Sequence, residues 1–306
     1  MRKNNLFVFI VILLTLLTIS CDNTDLTPAF IEISEETMEN PIDMYNYNFI
    51  HEESYDTHQL AAIASHKFSD VWIYANGDKI GLWEVPCKVP ILESDSVQIQ
   101  IVPGVRLNGM STTIPAYPFL QPFKKTIYLE KGETYTLDEN QIKFKYYNNV
   151  KFPLLETFEQ STTFTSSIED GGEFVITNQE GENIGLITLQ DSLYGFEVVS
   201  PSMTLPGNNN SIFFEMDYKC DQEISVGLIM VNSNGISEHE PLVNIRASNG
   251  EWKKIYVNLT QSISRNAAAN GYVEDAKIVI SGNREDDLTS AKFYFDNAKV
   301  IYIITQ

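Results

Sequence analysis

The side chains best equipped for chemistry in this 306-residue chain are aromatic and amide groups rather than nucleophiles. Residues 252–259 (WKKIYVNL) alternate, so Ile255, Val257 and Leu259 share one strand face and Trp252, Lys254, Tyr256 and Asn258 share the other. A sugar ring stacked on Trp252 or Tyr256, with Asn258 bonding its hydroxyls, is one chemistry this face supports. The other reading is that Trp252 closes the end of a sheet and Tyr256 covers its surface. Catalysis finds less. There is no Gly-x-Ser-x-Gly elbow and no glycine-rich phosphate loop. The histidines are His51, His58, His66 and His239, and none stands near a recognisable nucleophile. The run His51-Glu52-Glu53-Ser54-Tyr55 begins like a zinc-protease helix but has Tyr55 where the second ligand belongs. Paired carboxylates could hydrolyse glycosides. No spacing singles out a pair among the 41 acidic residues, and solvated surface charge accounts for them. The chain reads as a binding protein, not an enzyme.

Composition narrows the partners. A net charge of −20 argues against nucleic acid, which needs clustered Lys and Arg, and against anionic lipid surfaces. The 17 Phe and 15 Tyr favour strands over helices. Three cysteines are too few for a disulfide framework. Cys87 and Cys220 therefore read as small apolar core residues, with a bridge between them as the alternative.

At the N-terminus Arg2 and Lys3 precede an apolar run, 6–19, interrupted only by Thr15 and Thr18. It is too short to span a bilayer and has the charge and length of a secretory signal. The ending Thr18-Ile19-Ser20-Cys21 resembles a bacterial lipobox. That resemblance implies a signal peptide over 1–20, lipidation of Cys21, and a tether over 21–28. An ordinary signal peptide cleaved elsewhere is the alternative. The Asp22 and Asp25 pair partly resembles the acidic export signal of Bacteroidota surface lipoproteins, whereas in other bacteria Asp22 would imply retention at the inner membrane. The expected location is the outer membrane, by lipid anchor, with the face left open.

These groups need elements to position them. Residues 29–150 read as a small antiparallel β-sandwich or partial barrel. Residues 58–65 make one or two helical turns. Val71 to Tyr74, Asn76-Gly77 and Ile80 to Trp83 form a hairpin, because Asn-Gly tolerates the positive φ of a type I′ turn. Val97, Ile99 and Ile101 alternate with polar residues as a half-buried strand. Residues 126–129 and 133–137, joined through Lys131-Gly132, read as a second hairpin, and Ile142, Phe144 and Tyr146 as a further strand. Tyr117-Pro118-Phe119 with Pro122-Phe123 is a rigid loop, either a docking patch or core. The run DVWIYANGDKIGLWEVPCKVPIL, then VQIQIVPGVRLNG, resembles PEGA-type β domains of bacterial surface proteins. With SHKFSDVWIYANG, NGMSTT and AYPF, the region also looks similar to Bacteroidota lipoproteins.

Residues 148–153 read as the joint. Seven or more short strands over 154–306, separated by Gly- and Asn-rich turns, suggest a second β-sandwich. The segments LLETFEQ, GEWKKIYVNLT and AKFYFDNAKVIYI resemble galactose-binding-like jelly rolls, the fold of many carbohydrate-binding modules. The resemblance implies a structural Ca²⁺ held by Glu159 and Asp296, with Glu182 as a third ligand, since calcium takes hard oxygen donors. The alternative is that Asp296-Asn297 caps a turn. No other cofactor is expected. The expected architecture is all-β, a small antiparallel sandwich followed by a jelly roll. The expected function is non-catalytic docking on other outer-membrane proteins. Glycan capture through Trp252, Tyr256 and Asn258 is the alternative.

Overall fold

The computed structural model describes residues 26–44, 55–110, 112–138, 140–207 and 210–304. The signal-like run, Cys21 and His51 lie outside them. Among the described residues no helix is long and apolar enough to cross a membrane.

The described residues are all-β with two short helices. Strand β1 (Ala29–Ile33) leads through a 3-10 turn (Glu36–Met38) to helix α1 (Thr57–Ala64). A capping box closes the start of α1: the Asp56 carboxylate accepts from Gln59 N, and the Gln59 side chain accepts from Asp56 N. Six strands follow: β2 (Asp70–Ala75), β3 (Asp78–Glu84), β4 (Cys87–Ile91), β5 (Asp95–Gly104), β6 (Phe123–Leu129) and β7 (Thr134–Leu137). Asn76 (φ 50°) and Gly77 (φ 93°) make the β2–β3 turn as their types require. In β5 the residues Val97, Ile99 and Ile101 are buried, as their alternation requires. Sheets β3-β2-β5-β6 and β4-β1-β7 share one core that includes Ile31, Ile73, Ile99 and Phe144.

Two expectations in this half are corrected. Strands β6 and β7 are not a hairpin: β6 edges β5, while β7 lies parallel to β1 in the other sheet. The turn at 130–133 crosses between sheets because β1 captures it, with Gly132 N donating to Pro28 O and Phe30 N to Glu133 O. Ile142, Phe144 and Tyr146 are buried, but this segment makes only single bridges, Ile42 to Phe144 and Leu120 to Tyr146.

Strand β8 (Val150–Glu156) runs through the expected joint and already pairs with the last strand of the second half. The second half adds β9 (Thr165–Ser166), β10 (Val175–Gln179), β11 (Glu182–Gln190), β12 (Gly195–Val199), β13 (Ile212–Cys220), β14 (Ile224–Asn232), β15 (Ser237–Ile245), β16 (Lys253–Asn258), helix α2 (Thr260–Asn270), β17 (Val273–Asn283) and β18 (Ser290–Ile303). Sheet β10-β11-β18-β13-β16 packs on sheet β15-β14-β17-β12-β9 as a jelly-roll sandwich. Its core includes Ile187, Phe214, Met216, Leu228, Ile278, Phe293 and Phe295. Cys87 and Cys220 are both free thiols.

The two halves share their cores. Phe213, Tyr256 and Ile301, on the outer face of the jelly roll, belong to the core of the first half. There Phe213 meets Phe119 edge-on at 5.1 Å, and Tyr256 meets Tyr117 at 6.1 Å. Tyr117 and Phe119 are therefore interior, which decides between core and docking patch for that loop.

Candidate functional site

The outer face of the first jelly-roll sheet is half covered and half open, and its strand pattern sets the boundary. Outward residues on β13 run Phe213, Glu215, Asp217, Lys219. The first two are buried and the last two emerge. On β18, read in the opposite direction, Ile301 and Lys299 are buried, while Asp296 and Tyr294 are half-buried.

Under the cover lies a polar seam. Lys299 Nζ donates to the carbonyls of Ala62, Ile63 and Ser65 at 2.8, 3.0 and 2.9 Å, closing the end of α1. It faces Glu215 at 3.4 Å, and Tyr117 Oη donates to Glu215 at 2.5 Å. Burial leads the effects that lower Lys299 to a pKa of about 8. Tyr256 Oη accepts from Lys67 N at 2.8 Å, and burial pushes its phenol well above the ordinary range. At the seam's edge Asp217 accepts from Ser65 Oγ (2.6 Å), Asn297 Nδ2 (3.0 Å) and Lys254 Nζ (3.2 Å).

Beyond Asp217 the face opens into a cleft of about 510 Å³. Trp252, just before β16, forms one wall and is 38% exposed. Its ring meets Tyr294 of β18 at 6.5 Å and 61°. Lys219 Nζ lies 4.5 Å from the Tyr294 centroid and 5.3 Å from that of Trp252, and donates to Gln179 Oε1 at 2.9 Å. The β10–β11 turn, with Glu180 (φ 57°) and Gly181 (φ 101°) as its central pair, presents Glu180 and Glu182 from the opposite side. Asp296 lines the base. Burial, reinforced by Asp217 and Glu159, outweighs the bond from Asn297 N and raises its carboxyl to about 7.

The structure separates the residues expected to act together. Trp252 is in the cleft. Tyr256 is 3% exposed and sealed in the seam, so it offers no ring to a ligand, because the first half covers that part of the sheet. Asn258 lies in a different cleft, its Oδ1 accepting from Thr260 N at 2.9 Å. Tyr294, Lys219, Gln179 and Asp217 escaped the sequence reading. Tyr294 had a signal: it alternates outward with Lys292 and Asp296 along β18.

The calcium set does not fit. Glu182 and Asp296 line the Trp252 cleft, but Glu159 lies in a neighbouring one and pairs with His58 Nδ1 at 2.9 Å. Both Asp296 oxygens accept from Asn297, the turn-capping arrangement. Among the described residues no group of three or more His, Cys, Asp or Glu is placed to hold a metal ion.

A larger cleft of about 630 Å³ lies at one end of the second sheet, lined by polar groups such as Gln222, Ser225, Asn244 and Asn283. Among the described residues it has no aromatic lining, and its Arg284 is committed to the carbonyls of Asp191, Leu193 and Leu288. The Trp252 cleft is therefore the better equipped site.

No protein-family model matches the chain, and no curated protein matches it. Solved structures resemble it distantly. A CBM22 xylan-binding domain from Paenibacillus barcinonensis is 12% identical, with a TM-score of 0.38, over 51% of this chain and 97% of that one. The enzymatically active domain of tailspike protein 4 from bacteriophage CBA120 is 8% identical (TM-score 0.37), over 48% of this chain and 20% of that one. A CBM61 module in complex with β-1,4-galactotriose is 15% identical (TM-score 0.28), over 45% of this chain and 85% of that one. At such distances the likeness assigns no ligand, which must be read from the side chains themselves.

Proposed function

We propose that this chain is a carbohydrate-binding protein that takes a glycan in the cleft between Trp252 and the β10–β11 turn. The observation that carries this reading is the exposed Trp252 ring braced edge-on by Tyr294, beside amide, carboxylate and ammonium groups. An apolar ring face with convergent hydrogen-bonding groups is what a pyranose requires, since a sugar has an apolar face and a rim of hydroxyls. The aromatic-proline loop offers the docking reading no patch, because Tyr117 and Phe119 are interior. In this reading a lipid at Cys21 tethers the protein at the outer membrane and the cleft retains glycan there.

The test is affinity electrophoresis and a glycan array on the folded protein, with xylan and β-1,4-galactan among the probes. Retention that weakens at least about tenfold in Trp252→Ala, with Tyr294→Ala weaker than wild type, is the expected result. No retention by any glycan, or retention indifferent to Trp252→Ala, overturns the reading.

A further inference from the structure

We infer that the cleft admits uncharged glycan chains and excludes anionic ones, an inference that rests on the binding reading above. The argument is one of placement. Among the described residues, the acidic side chains lining the cleft are Glu180, Glu182, Asp217 and Asp296, and its one basic side chain is Lys219. Asp217 is paired with Lys254 at 3.2 Å, whose own side chain is 1% exposed and so presents no ammonium at the surface. Among the lining side chains Glu180 and Glu182 have only Lys219 to offset them, while Asp296 also feels Lys254. Lys219 is already committed, held over the two rings and bonded to Gln179.

Glu180 and Glu182 line the same cleft as Trp252, so a chain stacked on the indole runs past their carboxylates. A hydroxyl there donates to a carboxylate. A uronate or sulfate there meets like charge, and among the described residues lining the cleft the one ammonium, Lys219, is already bonded to Gln179. An anion-binding glycan site needs the reverse arrangement, basic groups converging on the acid. The net charge of −20 adds to the same exclusion at long range.

The experiment compares xylan with carboxymethyl xylan, and galactan with carboxymethyl galactan, by affinity electrophoresis at low salt and at about 0.5 M salt, where charges are screened within a few ångströms. The neutral polymer is expected to bind about tenfold more tightly at low salt. The gap should narrow in high salt and in the Glu180→Gln/Glu182→Gln variant. These are exposed turn residues, so the variant should fold. A carboxymethyl polymer that binds as well as its neutral parent at low salt overturns the inference. So does a gap indifferent both to salt and to the double variant, which marks steric exclusion. If Trp252→Ala still abolishes binding in those cases, the binding reading stands and only the charge rule falls. If neither neutral polymer is retained, the binding reading itself falls.

Discussion

Glu215 and Lys299 are register partners on β13 and β18, 3.4 Å apart and almost wholly buried at 1% and 0% exposed. They are the hinge of the whole arrangement. Lys299 holds the end of α1 through three carbonyls, and Glu215 holds Tyr117 of the aromatic loop. One ion pair thus fastens two separate segments of the first half to the jelly roll.

Removing one partner should therefore cost far more than removing the set. Lys299→Met leaves the Glu215 carboxylate buried without its counter-charge and is expected to lose about 3–5 kcal/mol in urea denaturation. The triple variant Tyr117→Phe/Glu215→Met/Lys299→Met removes the orphaned charge and should be more stable than Lys299→Met alone. A single variant unfolding at the wild-type urea concentration would refute the assigned role of the pair.

Trp252 and Tyr256 lie four residues apart on one strand face and should behave oppositely. Tyr256→Ala opens a cavity in the shared core and is expected to cost about 3–5 kcal/mol. Trp252→Ala removes a 38% exposed ring and should change stability by about 1 kcal/mol or less while weakening glycan retention. Thermal melts of the two variants check this directly.

That contrast also marks where the sequence is legible. The alternation at 252–259 predicts which side chains share a face, and they do. It cannot say what covers that face. A hint exists in the strands themselves. Ile212-Phe213-Phe214 and Val300-Ile301-Tyr302-Ile303 are apolar at successive positions, which marks a strand buried on both sides. Asn76-Gly77 was decisive because turn chemistry is local. The parallel pairing of β7 with β1 was not readable, because it joins residues about a hundred positions apart with no turn between them. Lys299 was invisible for a related reason: a lysine in a strand reads as solvent-facing until three carbonyls and a carboxylate are brought to it.

Asp296 gives a pH dependence whose sign can be fixed. Its folded pKa is raised from 3.8 to about 7, chiefly by burial. Between those values the folded state holds a proton that the unfolded state has released, so its contribution lowers stability as pH rises. Asp296→Asn keeps an acceptor for Asn297 N and removes the penalty. Its melting temperature should exceed wild type at pH 8, with the advantage shrinking as pH falls from about 7 toward 4. A constant difference across that range would contradict the assignment.

Gly185 connects packing to the cleft. On β11 it lies against the Phe158 ring, and a Cβ there would stand 2.6 Å from that ring and 3.0 Å from Phe174. Phe158 cannot yield easily: it is 1% exposed, has φ of 54°, and packs at 4.9 Å and 47° against Phe174. Gly185→Ala must therefore push the β10–β11 hairpin outward, at an expected cost of about 1–3 kcal/mol. The same hairpin carries Gln179 and Glu182 to the cleft, so the displacement should also weaken glycan retention although residue 185 touches no ligand. Gly185→Ala/Phe158→Leu makes room for the methyl group and should recover part of both losses. If stability recovers while retention does not, the hairpin is not what positions the cleft's second wall.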